Sequence, residues 1–246
     1  MKSRKKLVFR GKLRFASGFD SRQQLLETLR NQVFFNTKIS NIIYTVVGEV
    51  VLSFMDKKQM FIKSIYAGLM IGLGGIVYLS VENKVIGSLL FSFGLLTIVT
   101  QGFCLYTGKI GFVKECKELF HMPIIIIGNF IGTFIVAFFM KATHPNIDSL
   151  QLVHKKLSNN MLHIFILSMF CGALMYLAID NYNKSKNIIF IIAPVMIFIL
   201  SGFEHSIANM FYFNFAGIYS FKAFSYLLVM LIGNGVGAKL FSLKPE

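Results

Sequence analysis

Apolar residues run along this chain in long blocks separated by short polar stretches. Six blocks stand out, at residues 60–81, 85–113, 121–140, 160–179, 187–213 and 221–240. A helix of about 20 apolar residues spans the ~30 Å hydrocarbon core of a bilayer. The pattern therefore predicts an all-α integral membrane protein with six transmembrane helices. Two blocks are not uniform. Polar residues and glycines cluster at residues 97–108 in the second, and Ser201-Gly202-Phe203-Glu204-His205-Ser206 interrupts the fifth. Irregular backbone at membrane depth is tolerated only where protein or a water-filled cavity satisfies it. The second and fifth helices are thus expected to be broken there, and the breaks are the candidate functional regions.

Ahead of the first block, Ile39, Ile42, Ile43, Val46, Val47, Val50 and Phe54 fall at helical spacing, with Glu49 among them. This stretch is too short to span. It predicts an amphipathic helix on the membrane surface or under the bundle, with a true span as the alternative. The expected division is a basic arm over residues 1–59 and a six-span channel domain over residues 60–246.

Composition sharpens the membrane reading. The chain is 55% hydrophobic, with 27 Phe and no Trp, an excess that calls for an apolar phase outside the protein. Its 25 Lys and Arg against 11 Asp and Glu give a net charge of +14. Such a balance raises nucleic acid as a partner, but the basic residues lie mostly outside the apolar blocks, which points to anionic lipid headgroups. With both ends placed in the cytoplasm, 20 of the 25 fall on the inner side and 5 on the outer. The positive-inside rule then favours six spans with both termini cytoplasmic. The N-terminus has no apolar run of signal-peptide length and is expected to be retained. Cys104, Cys116 and Cys171 are odd in number and widely spaced, so neither a disulfide framework nor a zinc site is expected.

Three spans look repeated. Gly128-Asn129-Phe130-Ile131-Gly132 in the third block and Gly233-Asn234-Gly235-Val236-Gly237 in the sixth both read G-N-x-x-G. Ala67-Gly68-Leu69-Met70 and Gly172-Ala173-Leu174-Met175 match at nearly the same offset, and the two breaks are also about 100 residues apart. An odd number of spans per half forces opposite insertion. The expected plan is a 3+3 inverted repeat with its binding site near the midplane, at the paired broken helices.

The chemistry concentrates in the breaks. A half-helix that restarts inside the membrane presents free N–H groups and a positive dipole end, which favour anions. Thr107 and Ser206 lie near the two restarts. Glu204 and His205 are ionisable within a hydrophobic span and functional by default; for Glu204, a structural role accepting backbone N–H bonds to hold the loop is the competing reading. Phe91 and Leu95 precede the first break and Phe198 the second. They are either ordinary core or gates on either side of His205. Glu204-His205 is not H-E-x-x-H, so no metal is expected.

These residues resemble the formate/nitrite transporter family, which includes formate, nitrite and hydrosulfide channels. Ser201 to Phe211, SGFEHSIANMF, is nearly that family's span-five signature. Leu105-Tyr106-Thr107-Gly108 is similar to its L-F-T-G signature, and Gly128 to Gly132 to its span-three motif. The resemblance covers about residues 60–240. It implies an aquaporin-like fold, a homopentamer with one pore per protomer, and no cofactor. It also implies His205 as the central histidine with Thr107 facing it. Leu95 with Phe91 would form one constriction and Phe198 the other, with Asn209 and Asn234 as pore-associated asparagines. Tyr106 stands where the family usually has Phe, and Tyr176 where it commonly has Asn. The family's outer lysine would align with Asn160, and Lys156 is the candidate substitute.

The expected function is a plasma-membrane channel for small monovalent anions of weak acids (formate, nitrite or hydrosulfide) with proton coupling at His205. A bare anion crossing an apolar constriction meets a large desolvation cost, which crossing as the neutral acid avoids. The alternatives are an aquaporin-like pore for neutral solutes and a non-transporting sensor or scaffold built around the basic arm. An intramembrane enzyme is disfavoured because no nucleophile, metal trio or cofactor loop accompanies Glu204 and His205.

Overall fold

Helix follows helix through the described chain, and many begin at a polar side chain able to cap them. The computed structural model describes residues 56–144, 147 and 149–243. The amphipathic helix expected at residues 39–54 and the basic arm before it lie outside the described residues. The elements are α1 (Lys57–Ser80), α2 (Lys84–Thr100), α3 (Tyr106–Lys109), which runs into a 3-10 turn at Ile110–Phe112, and α4 (Cys116–Leu119). Then come α5 (Met122–Thr143), α6 (Leu150–Ser158), α7 (Met161–Ser185), α8 (Ile189–Leu200), α9 (Ser206–Ala216) and α10 (Phe221–Ser242). The Asn83 side chain accepts from Val85 and Ile86 N–H, Asn160 from His163 N–H, and Ser220 from Ala223 N–H. Each cap satisfies donors that a starting helix leaves open.

α1, the run of α4 with α5, α7 and α10 are each long and apolar enough to cross a membrane by length and composition. α2 and α8 are shorter apolar helices. Large apolar side chains face outward, among them Phe130, Phe134 and Phe138 along α5 and Phe221, Phe224 and Leu228 along α10. α9 is the opposite case: every residue from Ser206 to Phe215 is buried. A helix covered on all sides belongs to the core, and α9 lies at the centre of this one.

α1 packs most extensively against α5, and α7 against α10. Glycine makes both contacts possible. A Cβ on Gly68 would collide with the Asn129 carbonyl, and one on Gly132 with the Ile65 carbonyl. In the other pair, a Cβ on Gly172 would strike the Asn234 carbonyl and one on Gly237 the Met169 carbonyl. The G-N-x-x-G glycines are therefore sites of backbone-to-backbone approach, the small-residue packing of membrane helices. Two helices were not expected: the short α4 precedes the third apolar block, and α6 occupies the connection between the third and fourth. The expected fourth block begins one residue before α7, but Lys156 sits on the separate helix α6.

Candidate functional site

Both breaks are built the same way. At the end of α2, Gln101 N–H donates to Thr97 O at 2.9 Å, Gly102 N–H to Val99 O at 3.3 Å and Phe103 N–H to Ile98 O at 2.9 Å. At the end of α8, Ser201 N–H donates to Ile197 O at 2.9 Å, Gly202 N–H to Ile199 O at 3.2 Å and Phe203 N–H to Phe198 O at 2.9 Å. Gly102 and Gly202 have φ of 65° and 70°, the left-handed termination that glycine adopts without a Cβ penalty. Beyond it, Phe103 stacks on Tyr66 of α1 at 5.3 Å and Phe203 on Phe170 of α7 at 5.5 Å.

Two asparagines then satisfy the opened backbone. Asn129 Oδ1 accepts from Tyr106 N–H at 2.9 Å, and its Nδ2 donates to Ser64 O and Cys104 O, both at 2.8 Å. Asn234 Oδ1 accepts from Ser206 N–H at 2.9 Å, and its Nδ2 donates to Ser168 O and Glu204 O, both at 2.8 Å. Both side chains are fully buried. Each amide meets one donor and two acceptors, its oxygen toward an N–H and both Nδ2 hydrogens toward carbonyls. Asn234 was expected near the pore by resemblance. Asn129 was not singled out, although its motif at the 105-residue offset was the signal that identifies it.

Matched this way, Cys104 corresponds to Glu204, Leu105 to His205 and Tyr106 to Ser206. Leu105 and His205 are the N-cap residues of α3 and α9, with φ, ψ of −98°, 129° and −90°, 112°. His205 uses its ring to cap: Ala208 N–H donates to Nδ1 at 3.1 Å. Its other nitrogen, Nε2, lies 2.9 Å from Thr107 Oγ1. The backbone N–H can only donate, so Nδ1 carries no proton, and the neutral ring holds its proton on Nε2. Thr107 Oγ1 accepts that proton's bond, which leaves the threonine hydroxyl hydrogen to donate elsewhere. A second proton on Nδ1 would break the cap.

Aromatic rings close over the pair. Phe198 stacks on the His205 ring at 5.4 Å, and Phe91 meets Phe198 edge to face at 6.1 Å. Phe91, Leu95, Leu105 and Phe198 are all buried. The expectation joined Phe91 to Leu95 in one constriction and assigned Phe198 to another. The structure sets Phe91 directly against Phe198.

Among the described residues, the hydrogen-bond partners of the Glu204 side chain are other side chains, not the backbone N–H groups that the competing reading expected. Glu204 Oε2 pairs with Lys156 Nζ of α6 at 2.6 Å and accepts from Asn209 Nδ2 at 2.8 Å. Asn209 Nδ2 also donates to His205 O at 3.0 Å. Ser206 Oγ and Asn209 Oδ1 are buried without a hydrogen-bond partner among the described residues. Lys156 thus reaches the second break through an ion pair that neutralises it. Asn160, where the resemblance expects the lysine, is the cap of α7. Tyr106, the departure from Phe, donates its hydroxyl to Leu231 O of α10 at 2.9 Å. Tyr176 packs against Phe112 at 4.9 Å. Among the described residues no group of three His, Cys, Asp or Glu is arranged to hold a metal.

Apolar helices long enough to span, and a buried polar pair where two broken helices meet, define an integral membrane protein of the transport class. The formate/nitrite transporter family model matches residues 39–244, and the chain belongs to that family. Among curated relatives, the Bacillus subtilis protein described as uncharacterized transporter YrhG is 28% identical over 183 residues, covering 65% of this chain and 69% of its own. The formate channel FocA of Haemophilus influenzae is 24% identical over 214 residues, covering 72% and 75%. Among solved structures, a pentameric formate channel with formate bound aligns with a TM-score of 0.66 at 24% identity, over 75% of this chain and 94% of that one. A second structure, an ion channel of the same family, aligns with a TM-score of 0.62 at 19% identity, over 87% and 95%. Both structures are similar to this chain in fold.

Proposed function

We propose that this protein is a six-span channel for small monovalent anions of weak acids, with formate, nitrite and hydrosulfide as its candidate cargoes. The observation that carries the reading is the 2.9 Å contact between Thr107 Oγ1 and His205 Nε2, which joins the two breaks inside an apolar bundle. Relatives described as formate channels support formate as the first cargo to test.

The six spans are α1, α2 continued by α3, α5, α7, α8 continued by α9, and α10. The matched hydrogen bonds of Asn129 and Asn234 support a 3+3 inverted repeat of aquaporin-like plan, since three spans per half require opposite insertion. The charge bias supports both termini on the cytoplasmic side of the plasma membrane. We assign residues 1–59 as a basic cytoplasmic arm facing anionic lipid and residues 60–246 as the channel, assembled as a homopentamer.

In this reading an anion reaches the Thr107 hydroxyl, whose hydrogen His205 leaves free. It combines there with a proton arriving from bulk through vestibule water, X⁻ + H⁺ giving HX, and the neutral acid passes Phe91, Leu95, Leu105 and Phe198. His205 acts as a neutral donor that orients Thr107. Direct transfer of its Nε2 proton would require uptake at Nδ1 and loss of the Ala208 bond. Stopped-flow flux of formate, nitrite and hydrosulfide into proteoliposomes, over a pH range of about 5 to 8, tests this. Selective flux with proton uptake is expected. Undiminished flux in His205→Ala with an unchanged pH profile removes His205 from the scheme. Equal flux of glycerol without proton coupling replaces the anion channel with a neutral-solute pore.

A further inference from the structure

The two sides of the Thr107–His205 contact are not equally firm. His205 caps α9, an 11-residue helix buried along nearly its whole length. Thr107 lies on α3, which has four residues before its 3-10 turn. A helix that short does not hold its own place, because fixing one turn costs more order than its few bonds return. The position of Thr107 Oγ1 is therefore set by what α3 is tied to.

One face of α10 supplies the ties. Leu231, Gly235, Ala238 and Lys239 follow one another along it at helical spacing. At the start of α3, the Tyr106 hydroxyl donates to Leu231 O at 2.9 Å, and the tyrosine is buried. At the far end, past the 3-10 turn, Lys239 Nζ donates to Val113 O. Between them, a Cβ on Gly111 would stand 3.2 Å from the Ala238 Cβ. The first tie depends on Gly235. A helical side chain covers the turn before its own Cα, so a side chain at this position would lie over the Leu231 carbonyl. A Cβ built there would stand 3.1 Å from the Tyr106 hydroxyl oxygen and 3.4 Å from Ile110. The bare position leaves the second lone pair of that carbonyl open to the phenol.

This tie is not part of the frame that the two breaks share. The positions matching Tyr106 and Gly235 are Ser206 and Phe130. Ser206 Oγ has no hydrogen-bond partner among the described residues, and Phe130 is exposed. The second break thus keeps its frame without such a tie. What the first break adds is the residue that follows Tyr106, Thr107.

We infer that Tyr106 is a positioning residue: its hydroxyl, seated over Gly235 on Leu231 O, fixes α3 against α10 and so holds Thr107 Oγ1 at His205 Nε2. The inference rests on the channel reading for its effect on flux, whereas its effect on His205 stands apart from that reading. Crowding or loosening the phenol moves Thr107 against the histidine.

The experiment is ¹⁵N-histidine NMR of the full chain in liposomes, with formate flux measured on the same samples. The samples are wild type, Tyr106→Phe, Gly235→Ala and the double variant, and the His205 Nε2 signal is assigned by its loss in His205→Leu. Spectra are taken well below the melting temperature, where lower stability alone leaves that signal in place. Gly235→Ala crowds the phenol, and Tyr106→Phe removes its bond. Each is expected to shift or broaden the His205 signal and to cut flux about threefold, the effect of a small misplacement of an aligned group. The double variant exchanges one heavy atom for another at the seat. It is expected to recover most of both readouts, well short of the sum of the two losses. An unmoved His205 signal in both single variants overturns the inference, as do losses that add in the double variant. If Gly235→Ala does not assemble, Lys239→Met takes its place, because it loosens the far end of the segment without crowding the seat. A His205 signal unmoved in that variant and in Tyr106→Phe then overturns the inference. A wild type that passes no formate, nitrite or hydrosulfide, while the His205 signal moves as stated, removes the channel reading and leaves the role of Tyr106 standing.

Discussion

The two breaks share a frame and differ in what the frame carries. Each ends a helix on a left-handed glycine, stacks the next aromatic on a neighbouring helix, and has its backbone satisfied by a buried asparagine. At the shared cap position the first break has Leu105 and the second has His205. One position earlier the first has Cys104, whereas the second has Glu204 bound to Lys156 and Asn209. The first restarts as a four-residue α3, and the second as α9, 11 residues long and wholly buried except at its end. The lesson is that two breaks can share one hydrogen-bonding frame while the histidine and the carboxylate are confined to one of them. The Thr107–His205 contact is where the unlike halves meet.

This comparison can be broken first at the asparagines. Asn129→Ala and Asn234→Ala each leave buried backbone groups of a break without partners, at about 1–3 kcal/mol per group. The two variants should lose similar thermal stability in detergent, and it should be the largest loss of any substitution considered. A loss in one variant alone means that the frames are not equivalent. Lys156→Met, which strands the buried Glu204 carboxylate, is expected to destabilise by about 3 kcal/mol. Pairing it with Glu204→Gln should recover much of that, whereas a simple surface contact would show neither effect.

His205→Leu makes the second break resemble the first. Removal of the cap bond should lower stability by about 1 kcal/mol. Formate flux should fall at least tenfold, equivalent to about 1.4 kcal/mol in the barrier. Flux retained with its pH profile intact would mean the unlike cap residues are functionally interchangeable. The smallest effect is expected from Tyr106→Phe. It removes the bond to Leu231 O and should cost about 1 kcal/mol, read as a small shift in melting temperature. No shift would mean that the tyrosine does not tie α3 to α10.

Much of the site was legible because its signals are local. Glycines and polar residues interrupting an apolar run and a repeated G-N-x-x-G can each be read without knowing which helix lies beside which. The role of Asn129 was equally visible in its motif, but its significance required seeing the opened backbone it satisfies. Three features were not legible. Lys156 looked like a free outer charge because nothing local places α6 against the second break. The role of Glu204 stayed open between function and loop support because its side-chain partners lie five and 48 residues away. The grouping of Phe91 with Phe198 depends on how α2 meets α8, a contact between segments about 100 residues apart.

Sequence alone determined the apolar blocks, the positions of the two breaks, and the offset at which their motifs match. Those properties follow from hydropathy and from residue types whose backbone preferences act locally. Only the tertiary structure decided which atoms face one another: Nδ1 of His205 on its own helix start, Nε2 on Thr107, and Lys156 on Glu204. The physical reason is that hydrogen bonds and ion pairs depend on distances of a few ångströms between segments far apart in the chain, and hydrophobic periodicity does not encode those distances.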